Sequence, residues 1–195
     1  MLEFERPGGS LMRTAPPILY ARTPRGDIAY QTVGDGPLDL VMVNGMGVSI
    51  SVLWDYAPFA AVLERLTRFS RLILFDRRGS GISDPLPGST PPTFEDWVED
   101  IRAVMDSAGI FRAALMGERD AGRATALFAA GYTQRVQALV QCNTTARIRA
   151  APDYPIGFSD ERVAELTRTF EEFWGTERMQ TLFLPSQAGN PQFLQ

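Results

Sequence analysis

The sequence predicts an α/β layered fold with a mainly parallel sheet, and two observations lead to this prediction. Short apolar runs typical of strands alternate with amphipathic helical segments over roughly 120 residues, which is the pattern of repeated strand–helix–strand units. The composition, with 45% hydrophobic and 22% charged residues, is that of an ordinary folded domain. We therefore expect helices packed on a sheet around a buried core.

The first two strands are predicted to be antiparallel. Residues 18–23 and 27–33 have the composition of strands, and Pro24-Arg25-Gly26 between them is a turn sequence. Residues 38–44 form a short, mostly apolar run, as expected for a strand that is buried on both faces of a parallel sheet. The parallel part of the sheet should therefore begin at this third strand.

Helices and strands then alternate along the chain. Helix 93–108 starts with a capping-box pattern, in which Thr93 is followed three residues later by Asp96. After Asn143 the pattern changes, because prolines interrupt the chain and a charged helix capped by Ser159 follows over residues 159–174. The other predicted elements are helices 58–69 and 121–132 and strands 71–75, 113–116 and 136–141.

Composition and charge exclude several function classes. The net charge of −4 offers no basic cluster for nucleic acid, and no apolar stretch is long enough to span a bilayer. Cys142 is the single cysteine, so no internal disulfide and no cysteine metal site is expected, and we predict a buried structural thiol. We expect a cytoplasmic protein with no metal and no cofactor, and without nucleic-acid or membrane partners.

The strongest local motif is the segment Asp76-Arg77-Arg78-Gly79-Ser80-Gly81-Ile82-Ser83-Asp84, which directly follows strand 71–75. Its two glycines permit a tight turn with positive φ, and Asp76 and Arg78 can join the loop by charge-assisted hydrogen bonds. It contains no nucleophile beside a base. We therefore predict a structural role for this loop, carried by Asp76, Arg78, Gly79, Gly81, Ser83 and Asp84.

This segment closely resembles the D-x-R-G-x-G-x-S-D loop of the α/β-hydrolase superfamily. The runs IAYQTVGDGPLDLV, RLILFDRRGSGISD and APDYPIGFS further resemble the α/β-hydrolase-like domains that precede class III adenylate/guanylate cyclase catalytic domains. The resemblance covers residues 18–195 and stops before the family's last two strands. It implies an incomplete α/β-hydrolase fold, with a flexible leader (1–17), a core lacking its last strands (18–150) and a partial helical cap (151–195).

The resemblance also implies where a nucleophile should stand. The family's elbow, G-x-S-x-G, corresponds to Gly117-Glu118-Arg119-Asp120-Ala121, so Arg119 replaces the serine. A protonated guanidinium cannot attack a carbonyl, and the chain has no histidine to act as a base. We therefore predict a pseudoenzyme, a hydrolase-like domain with a ligand-sensing, regulatory or protein-interaction role that the resemblance links to cyclase signalling.

Two alternatives to this prediction stay open. The first is an esterase-like hydrolase that is active only when a missing C-terminal part or a partner completes it. The second is a truncated fragment without an independent function. Because the last strands are absent, strand 136–141 should form an exposed apolar edge, and we expect self-association or a protein partner there.

The role of Arg119 also has two interpretations. Asn44-Gly45-Met46-Gly47 corresponds to the family's oxyanion loop, so a carboxylate or phosphate could bind among Arg119, Gly45, Met46 and Asp120. Alternatively, Glu118, Asp120 or another nearby acid neutralises the guanidinium within the chain. Both interpretations place Arg119 at the centre of the candidate site.

Overall fold

The structure, a computed structural model, describes residues 15–45, 48–86, 88, 90–183 and 185–187. The chain divides between Thr145 and Ala146 into two compact units. Among the described residues of the first unit, one sheet contains β1 (Leu19–Ala21), β2 (Ile28–Val33), β3 (Leu38–Val43), β4 (Ser70–Phe75), β5 (Ala113–Glu118) and β6 (Val136–Cys142). Its helices are α1 (Ala57–Thr67), α2 (Phe94–Ser107) and α3 (Ala121–Gly131), and a 3₁₀ turn covers Thr133–Arg135.

The strands lie in the order β1-β2-β4-β3-β5-β6. The pairs β1–β2 and β2–β4 are antiparallel, whereas β4–β3, β3–β5 and β5–β6 are parallel. This arrangement confirms the predicted α/β fold with antiparallel N-terminal strands and a mainly parallel sheet. It also places β3 at the centre of the parallel part, between β4 and β5.

Each face of the sheet carries its own hydrophobic core. Side chains alternate between the faces along each strand, so Val41 and Val43 belong to one core while Leu40 and Met42 belong to the other. The first core includes residues of α2 and α3, and the second includes Leu63 of α1. Strands that are buried on both faces explain why β3 and β4 have almost continuous apolar sequences.

The capping box at the start of α2 is confirmed. The Thr93 hydroxyl accepts a hydrogen bond from the Asp96 backbone N–H at 3.2 Å, and the Asp96 carboxylate accepts one from the Thr93 N–H at 2.9 Å. The Thr93 N–H, and then Arg25, lower the pKa of Asp96 below its usual value because both favour the charged carboxylate. The start of this helix therefore depends on an ionised Asp96.

The second unit contains α4 (Asp160–Phe173), α5 (Glu177–Phe183) and the 3₁₀ turn Pro185–Gln187. As predicted, Ser159 caps α4, because its hydroxyl accepts a hydrogen bond from the Arg162 N–H at 3.3 Å. None of the helices in the described ranges is both long and apolar enough to cross a membrane.

Two details differ from the sequence-based expectations. The short helix α5 was not predicted, because its seven residues carry too few periodic positions to be distinguished from a loop. The expectation of a buried thiol is wrong, since Cys142 is only half-buried. Within the described residues, β6 pairs with β5 alone, so no further strand covers its other side.

Candidate functional site

The candidate site lies where the three central parallel strands end. Strands β4, β3 and β5 are neighbours and run in the same direction, so their carboxyl ends meet at one edge of the sheet. The loops that follow Phe75, Val43 and Glu118 therefore meet there. These are the three loops that the sequence singled out for separate reasons.

Arg119 forms the turn between β5 and α3. Its φ is 52°, in the left-handed region that costs a non-glycine residue about 1 kcal/mol. The Arg119 backbone N–H donates a hydrogen bond to the Cys142 carbonyl at 2.9 Å, which ties the turn to the end of β6. The geometry is thus a sharp strand-to-helix elbow with an arginine at its apex.

Small residues allow this elbow to form. A Cβ added to Gly117 would overlap the Thr125 hydroxyl and would lie 2.7 Å from the Gly122 Cα, so β5 and α3 pack in direct backbone contact. Ala121, the first residue of α3, is fully buried. The close approach of strand and helix requires a residue without a side chain at position 117.

The loop after β3 packs directly against the elbow. A Cβ added to Gly45 would lie 2.6 Å from the Glu118 carbonyl oxygen and 2.7 Å from an Asp120 carboxylate oxygen. The structure therefore brings together Gly45, Arg119 and Asp120 of the predicted ligand-binding set. The fourth member, Met46, lies outside the described residues.

Asn44 introduces a polar group beside this contact. Its side chain is 7% exposed, and neither its amide nitrogen nor its amide oxygen has a hydrogen-bond partner in the part of the chain that the structure describes. Burying such a group without a partner costs about 1 to 3 kcal/mol. Asn44 follows Val43, which pairs with Gly117, so this amide belongs to the same strand end as the elbow.

The two acidic neighbours of Arg119 have different partners. Glu118 approaches the Arg119 guanidinium, with 3.3 Å between Glu118 Oε1 and Arg119 Nε, and the two side chains are 25% and 36% exposed. Asp120 instead forms an ion pair with Arg77, with 3.0 Å between Asp120 Oδ2 and Arg77 Nη1. The contact between Arg119 and Glu118 is one of the neutralisation routes that the sequence suggested.

Arg77 is a member of the site that the sequence analysis missed. Its side chain is 9% exposed, and its guanidinium stacks over the ring of Trp97 at 3.8 Å while it binds Asp120. It occupies the variable position after Asp76 in the loop motif, so the motif itself assigns it no role. The signal that could have identified Arg77 was its position two residues after β4, because the carboxyl end of β4 meets that of β3.

The loop after β4 is held together through Asp76. This carboxylate accepts hydrogen bonds from the Ser49 hydroxyl at 2.8 Å and from the backbone N–H groups of Ile50 and Ile82 at 2.9 Å. Gly81 has a φ of 56°, and a Cβ at this position would overlap the Asp76 carboxylate. The loop therefore connects the end of β4 to the segment that follows β3.

The other residues assigned to the loop close its two ends. The Ser83 hydroxyl donates to the Asp76 carbonyl at 2.6 Å, and the Asp84 carboxylate accepts from the Asp27 N–H at 2.8 Å. The Gly79 N–H donates to the Asp84 carbonyl at 2.8 Å across the turn, where the φ of Gly79 is 78°. These contacts join the loop to itself and to the start of β2.

A buried ion pair anchors the same loop to α2. Arg78 Nε lies 2.5 Å from Asp100 Oδ1, and the side chains are 3% and 1% exposed. The Asp100 carboxylate also accepts the Arg78 backbone N–H at 3.0 Å. Burial raises the pKa of Asp100, and the attraction of Arg78 opposes this shift. The anchor fixes the loop that carries Arg77.

The chemical groups at this site are mainly charged. The apex of the elbow carries a guanidinium instead of a hydroxyl, and the sequence has no histidine. Within the described ranges, no group of three or more potential ligands is placed to hold a metal ion. The site contains the guanidinium groups of Arg119 and Arg77, each with an acidic partner, together with the amide of Asn44 and the first turn of α3.

A family model described as the alpha/beta hydrolase fold matches residues 40–193, and the chain belongs to this family. The mixed sheet and the five helices in the described part of this chain are consistent with an incomplete form of that fold. The match includes the loop after β4, the elbow and residues 146–193 of the second unit.

Individual relatives are more distant. The chain is 28% identical over 159 residues to a pimeloyl-(acyl-carrier protein) methyl ester esterase from Sodalis glossinidius, with 78% of this chain and 57% of that protein covered. A hydrolase from Pseudomonas aeruginosa matches at 25% identity and a TM-score of 0.63, covering 91% of this chain and 63% of that one. An esterase from Exiguobacterium antarcticum, at 20% identity and a TM-score of 0.65, covers 81% and 56% and supports the fold alone. The chain thus spans about three fifths of these relatives.

Proposed function

We propose that this chain is a catalytically incompetent α/β-hydrolase-fold domain that binds a small acidic molecule beside Arg119 and acts in ligand sensing, regulation or protein contact. The observation that carries the proposal is the identity of the apex residue. Arg119 has a φ of 52° at the strand-to-helix turn where the family places its serine, and the chain has no histidine to activate any hydroxyl.

The first support for ligand binding is the weakness of the contact between Arg119 and Glu118. The Arg119–Glu118 pair has an N–O distance of 3.3 Å between partly exposed side chains, and such pairs contribute only about 0 to 1 kcal/mol. A ligand carboxylate can therefore take the place of Glu118 at little cost. Arg119 would then form the charge-assisted hydrogen bonds that a guanidinium makes best with a planar carboxylate.

The second support comes from the groups around Arg119. The first turn of α3 places backbone N–H groups and the positive end of a helix beside the elbow, which favours an anion. The buried amide of Asn44 lacks a partner among the described residues and offers both a donor and an acceptor. Arg77 keeps Asp120 engaged, so that this carboxylate is held by another cation.

The regulatory part of the proposal rests on sequence resemblance. The runs IAYQTVGDGPLDLV and APDYPIGFS resemble domains that precede class III cyclase catalytic domains, and this resemblance supports a role linked to cyclase signalling. A cytoplasmic location fits a chain with a single cysteine. Translation of the coding sequence downstream of residue 195 tests this link, because a cyclase catalytic domain should follow.

One observation favours a second candidate function. The family consists of hydrolase-fold proteins, and one relative is a methyl ester esterase, so the chain could hydrolyse an ester once another segment or subunit supplied a base. This alternative also needs a nucleophile other than Arg119. The alternative predicts that the completed protein hydrolyses esters, whereas the first proposal predicts no ester hydrolysis.

Ester turnover separates these two functions. We expect the purified chain to hydrolyse p-nitrophenyl butyrate no faster than buffer does. The variant Arg119→Ser should behave in the same way, because a restored hydroxyl still lacks a histidine to take its proton. Initial rates at matched protein concentrations, with a known esterase as the positive control, provide the measurement. Enzyme-dependent turnover by the unmodified chain would support the alternative instead.

Ligand binding tests the role of Arg119 itself. We expect adipate or inorganic phosphate, titrated by calorimetry, to bind the unmodified chain. Arg119→Ala should weaken this binding at least about tenfold, since a hydrogen bond to a charged group contributes about 1.5 to 3 kcal/mol. Arg112→Ala is the matched control, because exposed Arg112 precedes β5 at its opposite end. No binding of either probe, or equal binding by both variants, would reject the proposal.

A further inference from the structure

Three polar residues at the ends of the central strands form one row. Val43 of β3 pairs with Phe75 of β4 on one side and with Gly117 of β5 on the other. Because these strands are parallel, the residue that follows in each of them lies in the same register. The three residues are Asp76, Asn44 and Glu118. The middle strand therefore places an amide between two carboxylates.

The row lies on the face of the sheet that packs against α1. Side chains alternate between the two faces along a strand, and the residues two positions earlier belong to, or pack against, the core that contains Leu63. Those residues are Leu74, Met42 and Met116. Asp76 agrees with this assignment, since its carboxylate accepts the backbone N–H of Ile50, a residue of the same core. Asn44 and Glu118 are therefore neighbours on one face.

The members of this row differ in how well their polar groups are satisfied. The Asp76 carboxylate accepts hydrogen bonds from the Ser49 hydroxyl and from two backbone N–H groups. Glu118 contacts Arg119 at 3.3 Å, a long distance for a charge-assisted hydrogen bond. The Asn44 amide is shielded from solvent and has no hydrogen-bond partner among the described residues. Within those residues, the row thus contains a donor without an acceptor beside a weakly held carboxylate.

The Glu118 carboxylate can reach the Asn44 amide. Neighbouring strands lie about 4.8 Å apart, and a glutamate side chain is long enough and rotatable enough to span this distance. The Glu118 side chain is 25% exposed, so it has room to turn. A hydrogen bond from an amide N–H to a carboxylate is charge-assisted and stronger than one between neutral groups. Asn44 thus offers a second position for the carboxylate that contacts Arg119.

Anion binding at Arg119 makes this second position necessary. A ligand carboxylate or phosphate on the guanidinium would lie beside the Glu118 carboxylate, and like charges in contact repel each other. Glu118 would therefore turn away from Arg119. Asn44, the adjacent residue of the row, has an N–H donor available to receive it within the described part of the chain.

We propose that Asn44 is a positioning residue of the ligand site: when an anion binds Arg119, the Glu118 carboxylate turns to Asn44 and accepts a hydrogen bond from its Nδ2–H. This role rests on the proposed function, because it requires an anion at Arg119. The ligand-bound chain gains a hydrogen bond that the ligand-free chain lacks. Asn44 therefore favours binding while it lowers the stability of the ligand-free chain.

A double-mutant cycle tests this role by affinity. Asn44→Leu should weaken the binding of adipate or inorganic phosphate, measured by calorimetry, about threefold to tenfold, the range for one hydrogen bond. In a Glu118→Ala background the same substitution should leave the affinity unchanged, because no carboxylate remains to be held. An equal loss in both backgrounds, or no loss in either, would overturn this role of Asn44. Absence of binding by the unmodified chain would reject the proposed function and this role with it.

Thermal unfolding of the ligand-free chain provides a readout that does not depend on ligand binding. Asn44→Leu should raise the melting temperature by about 2 to 4 °C, because it removes a buried polar group that lacks a partner in the described part of the chain. A purely structural role for the amide predicts the opposite sign.

Gln31→Met is the matched control for a buried amide that has partners. The Gln31 side chain is fully buried, donates to the Pro16 carbonyl at 2.9 Å and accepts from the Trp54 indole N–H at 2.9 Å. Its replacement should lower the melting temperature, because these hydrogen bonds are lost. If Asn44→Leu lowered the melting temperature as Gln31→Met does, the amide would be satisfied in the ligand-free chain. That result would overturn the role of Asn44 even if both probes bound at Arg119.

Discussion

Replacing Asp100 with alanine is expected to destabilise the fold by about 3 to 5 kcal/mol, the usual consequence of breaking a buried ion pair. The side chains of Arg78 and Asp100 are 3% and 1% exposed, so water cannot replace the lost carboxylate. The variant would also leave the Arg78 backbone N–H without its acceptor. Urea unfolding followed by circular dichroism measures the loss as a lower midpoint with an unchanged slope.

The neighbouring residue in α2 supplies the matched control. Glu99 pairs with Arg102 at 2.7 Å, but these side chains are 43% and 41% exposed, so Glu99→Ala should cost no more than about 1 kcal/mol. The double variant Arg78→Met with Asp100→Leu should regain much of the stability lost in Asp100→Ala, because no unpaired charge remains buried. Equal losses for Asp100→Ala and Glu99→Ala would contradict the buried-pair interpretation.

Gly117→Ala is expected to cost about 3 kcal/mol, at the upper end of the range for overpacked positions. The added methyl group would overlap the Thr125 hydroxyl and approach the Gly122 Cα to 2.7 Å, so β5 and α3 would have to separate. The elbow between them would then lose its shape, and binding of adipate or phosphate should fall together with stability. Thermal unfolding and calorimetric titration of the same preparation measure both effects.

Gly131→Ala provides the comparison within the same helix. No atom lies within 4 Å of a Cβ at this position, and Gly131 is the last residue of α3. Alanine here should be neutral or stabilise by up to about 1 kcal/mol, since it has the higher helix propensity. If Gly117→Ala proved as harmless as Gly131→Ala, the close packing of β5 on α3 would be refuted.

The parts of the fold that were predictable from sequence are those encoded by neighbouring residues. The alternation of apolar runs and amphipathic segments located β3, β4, α2 and α3 to within one or two residues at most ends. The capping box of α2 was predictable because Thr93 and Asp96 are only three residues apart. The elbow motif could be identified for the same reason, because its residues, Gly117 to Ala121, are consecutive in the sequence.

The remaining features depend on contacts between distant segments. Arg77 and Asp120 are 43 residues apart, and their ion pair exists only because β4 and β5 end at the same edge of the sheet. The position of β4 between β2 and β3 likewise follows from tertiary packing rather than from any local pattern. The Asn44 amide, which lacks a hydrogen-bond partner among the described residues, could not be predicted either, because the burial and the partners of a side chain depend on the whole fold.

The left-handed turn at Arg119 has a consequence for how this family can change its chemistry. The shape of the turn is maintained by the absence of a side chain at Gly117 and by the buried Ala121, and neither residue has a side chain with a reactive group. The residue at the apex is therefore displayed at the same place whatever its side chain is. A substitution at the apex should therefore change the displayed chemical group while leaving the packing of β5 on α3 in place.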